Sequence, residues 1–150
     1  VYRTMPWSSL VLIAGLLPLT NALESSGLLA LAVDGLGGLL ADVGPRVTLG
    51  VLFLVTAAIG SFVSNTATAV LMAPVALQLA AALQLPPEPL AMAVALGASA
   101  AFLTPVGSPI VTLVYEPGGY RTGDLVRAGA PLVLVTLLVV AFGLPWWFGW

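Results

Sequence analysis

Residues 45–83 read PRVTLGVLFLVTAAIGSFVSNTATAVLMAPVALQLAAAL, and Arg46 is their one ionisable side chain. Two apolar helices are expected here, Pro45 to Val63 and Ala67 to Leu83, with Pro45 suited to a first helical turn. Between them stands Ser64-Asn65-Thr66, polar and helix-breaking in the middle of apolar sequence. Backbone that leaves a helix inside lipid must be covered by protein or by a wet cavity, because its N–H and C=O groups find no partner in hydrocarbon. The stretch therefore reads as a re-entrant hairpin whose tip is that triplet.

Composition agrees with a bilayer as the solvent. Of 150 residues, 60% are hydrophobic and 7% charged. A soluble domain carries roughly a quarter charged residues, so a water-facing globule is excluded. There is no Cys and no His, and the cations and anions number four and six. Disulfides, thiolate or imidazole metal sites, cysteine nucleophiles and Ser-His catalysis are thereby removed. A net charge of -2 with no basic patch argues against nucleic acid. The chain opens on Val1, which suggests a piece of a longer protein, and the first apolar run lacks a signal-peptide pattern.

Outward from the hairpin, residues 6–23 form an apolar run just long enough to span, with Pro18 as a tolerated kink. Residues 28–42, with Asp34, Asp42 and several glycines, suit a helix lying in the interface. Leu85-Pro86-Pro87-Glu88-Pro89 is a break. Residues 90–115 form a broken span: helix from Leu90 to Leu103, then Thr104-Pro105-Val106-Gly107-Ser108-Pro109, then a short stub. Residues 125–147 make a last span, closed by Trp146, Trp147, Phe148 and Trp150, which suit a membrane–water interface. The fold expected is all-α and polytopic, with a re-entrant hairpin and a broken transmembrane helix. Arg3, Arg121 and Arg127 against Arg46 place the loop before the last span in the cytoplasm.

Each break has a plain reading and a functional one. Ser64, Asn65 and Thr66 suit a cap for the helix that follows, and Asp124 can cap the last helix. A capped helix start inside a membrane also offers N–H groups, partial positive charge and side-chain oxygens to an anion. The 104–109 segment has a simple proline kink as its plain reading. Two prolines, Gly107 and two hydroxyls go beyond one, and Ser108-Pro109 reads as the start of a second half-helix. Broken helices at such depth are how transporters build binding sites. Charge adds a further inference. Residues 47–87 and 89–114 carry no ionisable group, so this part offers no proton carrier, whereas neutral oxygens suit sodium.

Three stretches carry a family resemblance: WSSLVLIAGLLPLTNALESSG (7–27), SNTATAVLMAPVALQLA (64–80) and AFLTPVGSPIVTLVYEPGGYRTGDLVRAG (101–129). Together they resemble the second half of divalent anion:sodium symporters, over nearly all of this chain but about the last third of a typical member. The resemblance implies half of an inverted-repeat, elevator-type transporter of the bacterial inner membrane, in a homodimer. It implies that Ser64, Asn65 and Thr66 bind the anion's oxygens and that Thr104 and Pro105 close the site. It implies sodium at the carbonyls of Gly60, Val63 and Leu103 and at Asn65, with no cofactor. Gly60 departs from members with a hydroxyl there and leaves a carbonyl alone. The first repeat of the same chain would supply the other half. The Pro117-Gly118-Gly119-Tyr120-Arg121 loop resembles the sulfate branch more than the dicarboxylate branch.

The function expected is sodium-coupled import of a divalent anion, sulfate-like or dicarboxylate. Alternatives are a proton-coupled or efflux carrier of the same superfamily, a non-transporting membrane subunit, or an intramembrane aspartyl hydrolase using Asp34 and Asp124.

Overall fold

A computed structural model describes residues 11, 14–15, 18, 21–22, 25–100, 102–104, 117–120 and 122–149. The expected span at 6–23 falls largely outside these residues. So do Pro105, the rest of the 104–109 break, and the stub after it.

All regular structure among the described residues is helical. The helices are α1 (Leu28–Leu40), α2 (Pro45–Gly60), α3 (Asn65–Ala82), α4 (Pro87–Ser99) and α5 (Thr122–Leu138). A π-helical stretch (Val139–Gly143) joins α5 to a short α6 (Leu144–Phe148). The all-α membrane architecture expected from composition is what the chain adopts. Asn65–Ala82 and Gly123–Phe148 are long and apolar enough to cross a bilayer. Leu54, Phe62, Leu77, Leu132, Leu134, Val135 and Phe142 are exposed.

The core is a seam of matching stripes. In α2, Leu49, Leu52, Phe53, Thr56, Ala57 and Gly60 are buried, spaced three and four apart so that they share one face. In α4 the same spacing buries Leu90, Ala93, Val94, Gly97 and Ala98. The two stripes meet at Gly97, where a Cβ would lie 2.8 Å from Thr56 Cβ and 2.9 Å from the Phe53 carbonyl oxygen. Only glycine lets these backbones approach so closely. α3 also packs against α4, burying Met72, Val75, Ala76 and Leu79, and α1 lies against α3, where Gly37 faces Leu79.

α2 and α3 are the arms of a helical hairpin. Their open ends stand together, since Pro45 and Thr48 of α2 line one small cavity with Leu83 and Leu85 beyond α3. The last helix runs back along α2: Gly50 touches Leu137, and the Arg46 guanidinium lies 5.9 Å over the Phe142 ring.

Several boundaries differ from the sequence expectation. The hairpin turn is 61–64: Ser61 N–H bonds to the Ala57 carbonyl, and Phe62 and Val63 N–H groups both bond to the Ile59 carbonyl. Asn65 and Thr66 are already helical, so Ser64 alone is the cap. The run 85–89 is less of a break than its prolines suggest. α4 starts at Pro87 and includes Glu88 and Pro89, because first-turn N–H groups have no helical acceptor to lose. α4 also stops at Ser99 rather than Leu103, with Ala100 N–H turning back to the Gly97 carbonyl. The last helix starts at Thr122, so Asp124 sits inside its first turn and is not its cap. Pro74 and Pro131 lie inside α3 and α5.

Candidate anion and cation site

The two interruptions meet. Thr104, leaving the end of α4, donates its hydroxyl hydrogen to the carbonyl oxygen of Ser61 at the end of α2. Ser61 is buried and its own hydroxyl donates to the Ala57 carbonyl at 2.9 Å. The second break is gripped from its other side too. At Gly129 of α5, a Cβ would come within 2.6 Å of the Phe102 carbonyl oxygen. Phe102 N–H bonds to the Ala100 carbonyl at 2.8 Å, a tight non-helical turn. The chain at 100–104 is thus held between the hairpin turn and the last helix.

This junction lies at depth along the bundle. Gly129 is seven residues past the start of α5, about 10 Å at the helical rise. Most of the last helix continues beyond it towards the hairpin's open ends.

The cap at the start of α3 is Ser64, extended at φ -60 and ψ 146, whose hydroxyl oxygen accepts from Ala67 N–H at 3.4 Å. Ser64 and Thr66 are exposed and Asn65 is half-buried. The structure brings Ser64, Asn65 and Thr66 to one helix start and Thr104 to the turn beside it. Pro105 lies outside the described residues.

Gly60 closes α2, Val63 stands in the turn that follows, and Leu103 precedes Thr104. Among the described residues, no backbone N–H donates to the carbonyl of Gly60, Val63 or Leu103.

The charges of the helix ends divide the junction. α2 ends at Gly60 and α4 at Ser99, so two carbonyl ends with partial negative charge converge there. α3 begins five residues after α2 ends and presents partial positive charge. A cation is favoured at the first pair and an anion at the second, without any ionised side chain. Among the described residues there is no cluster of acidic side chains that could hold a metal ion. Asp34, in α1, and Asp124, in the first turn of α5, are both exposed and stand ninety residues apart in the chain.

Thr68 was not singled out by its sequence position. It lies one turn into α3, fully buried, and its hydroxyl has no hydrogen-bond partner among the described residues. A lone threonine in an apolar helix gives no signal in sequence, because a bond back to the preceding turn satisfies it in most helices.

Comparison with known proteins places the chain. The model of the citrate transporter family matches residues 1–97 and 40–150. An uncharacterised transporter of Escherichia coli, YfbS, is 47% identical over 147 residues, which is 98% of this chain and 24% of that protein. Solute carrier family 13 member 2 of Mus musculus is 34% identical over 143 residues, 95% of this chain and 24% of its own length. Na(+)/dicarboxylate cotransporter 3 of Homo sapiens is 30% identical over 145 residues, 97% of this chain and 24% of its own. The chain spans about a quarter of the length of these relatives. It belongs to the citrate transporter family, in agreement with the resemblance to divalent anion:sodium symporters.

Proposed function

We propose that this member of the citrate transporter family is part of a sodium-coupled importer of a divalent anion, with a dicarboxylate as the substrate class. The observation that carries the reading is the Thr104–Ser61 hydrogen bond, which ties two interruptions forty-three residues apart into one junction. In this reading Ser64, Asn65 and Thr66 meet one carboxylate of the substrate at the start of α3, and Thr104 and Pro105 close the site from the α4 side. The carbonyls of Gly60, Val63 and Leu103, with the Asn65 side chain, hold a sodium ion. Partial charges of opposite sign from adjacent helix ends let cation and anion sit side by side, each lowering the cost of the other.

The dicarboxylate assignment is supported by the relative whose name includes sodium and dicarboxylate. The loop at 117–121 favours sulfate as the second substrate reading. The α2–α3 hairpin is taken as re-entrant, since its open ends stand together and its turn lies at depth. Residues outside this chain supply the opposing repeat, and a homodimeric, elevator-type arrangement in the bacterial inner membrane completes the reading.

The test is uptake of labelled succinate and sulfate by the full-length protein in proteoliposomes, with an inward sodium gradient and with sodium replaced by choline. Succinate uptake that requires sodium, and is abolished in Asn65→Ala at unchanged expression, is the expected result. Uptake that ignores sodium would overturn the coupling. Normal uptake by Asn65→Ala would overturn the site.

A further inference from the structure

We propose that the hydroxyl oxygen of Thr68 is a further ligand for the cation at the Gly60 turn, an inference that rests on the sodium-coupled reading above. The hydroxyls of Thr48, Thr56, Ser61, Ser99 and Thr136 all donate to the carbonyl four residues back, at 2.7 to 3.1 Å. Thr68 has the same option, because its own N–H bonds to the Ser64 carbonyl. Its hydroxyl does not take it. Among the described residues the buried Oγ1 atom has no partner, a state that costs a neutral hydroxyl desolvation with nothing in return.

The side chain is turned towards the carbonyl end of α2. The position a Cβ would take on Gly60 lies 3.7 Å from Thr68 Oγ1, 3.6 Å from Thr68 Cγ2 and 3.5 Å from the Ala98 carbonyl oxygen. The Thr68 side chain and the Ala98 carbonyl, in the last turn of α4, therefore both lie against the Gly60 backbone. Both α2 and α4 bring their negative ends to this place. Every group contributed is a neutral oxygen, the donor set that a hard monovalent cation accepts. With a cation at the carbonyl end of α2, Thr68 turns the lone pairs of its hydroxyl oxygen to the ion.

Two variants of the full-length protein test this, Thr68→Val and Gly60→Ala, with Thr68→Ser as the conservative control. The first readout is the sodium concentration giving half-maximal uptake of labelled succinate. The second is the rise in melting temperature of the purified protein when choline is replaced by sodium, with no anion present. Removing an oxygen from a charged contact should raise the half-saturating sodium concentration by about tenfold or more in Thr68→Val. Gly60→Ala sets a methyl group against the Thr68 side chain and should do the same. Thr68→Ser should stay near wild type. Sodium should stabilise Thr68→Val much less than wild type.

If Thr68→Val matches wild type in both readouts while wild type still needs sodium, the assignment of Thr68 fails alone. A melting point raised by the valine with unchanged sodium dependence would show a merely structural hydroxyl and overturn it equally. If wild type itself shows no sodium dependence, the functional reading beneath it has failed.

Discussion

Gly129 and Phe102 touch backbone to backbone, with 2.6 Å between a Cβ built on the glycine and the phenylalanine carbonyl oxygen. The obstacle is main chain, so no rotamer change relieves it. Gly129→Ala should push the 100–104 turn away from α5 and disturb Thr104. Overpacking of this kind costs about 1–3 kcal/mol. A lower melting temperature of the full-length protein in detergent, with reduced uptake, is expected. An unshifted melting point would show that α5 can move aside.

Gly97 and Gly50 both face neighbouring helices but predict different outcomes. At Gly97 the new methyl group meets Thr56 Cβ and the Phe53 carbonyl below 3 Å, whereas at Gly50 it meets only the end of Leu137 at 3.4 Å. Gly97→Ala should destabilise by about 1–3 kcal/mol. Gly50→Ala should be neutral or stabilising by up to about 1 kcal/mol, since alanine is the better helix former. Thermal melts of the two variants side by side check the order.

Thr104→Val removes the donor to the Ser61 carbonyl and keeps the side chain's shape. The stability cost is about 1 kcal/mol, small beside the loss of uptake expected if this bond aligns the two breaks. Thr104→Ser, which can make the same bond, should recover transport. Equal uptake by the valine and serine variants would show the bond to be dispensable.

Ser64→Ala separates capping from binding. The cap bond is long, 3.4 Å, and exposed, so its loss should cost about 0.5 kcal/mol, the low end for such residues. Uptake falling by far more than that stability change would mark Ser64 as a substrate contact. A proportionate fall would leave it a cap.

How far the sequence led is seen at particular residues. The hairpin was legible because Ser64-Asn65-Thr66 interrupts an apolar run with capping residues; Ser64 is the cap, while Asn65 and Thr66 belong to the first turn of α3. The start of α4 was obscured by Pro87 and Pro89, whose stiffness reads as a break although a first helical turn accepts both. The early end of α4 depends on Gly129, thirty residues downstream, against which Phe102 is packed. That is tertiary information, invisible to any local pattern. So is the state of Thr68, since an unsatisfied hydroxyl differs from a satisfied one only in its neighbours.

The π-helical stretch at Val139–Gly143 turns one helix towards two different neighbours. Upstream, Leu137 leans on Gly50 of α2; downstream, α6 reaches α4. A wide turn of this kind absorbs an extra residue, which in an ordinary α-helix is about 100° of rotation. Beyond it Trp146 and Trp147 face outward, 79% and 76% exposed. Deleting a single residue from this stretch would therefore act as a twist rather than a shortening, rolling the indole pair off the lipid boundary and loosening the bundle's hold on its depth.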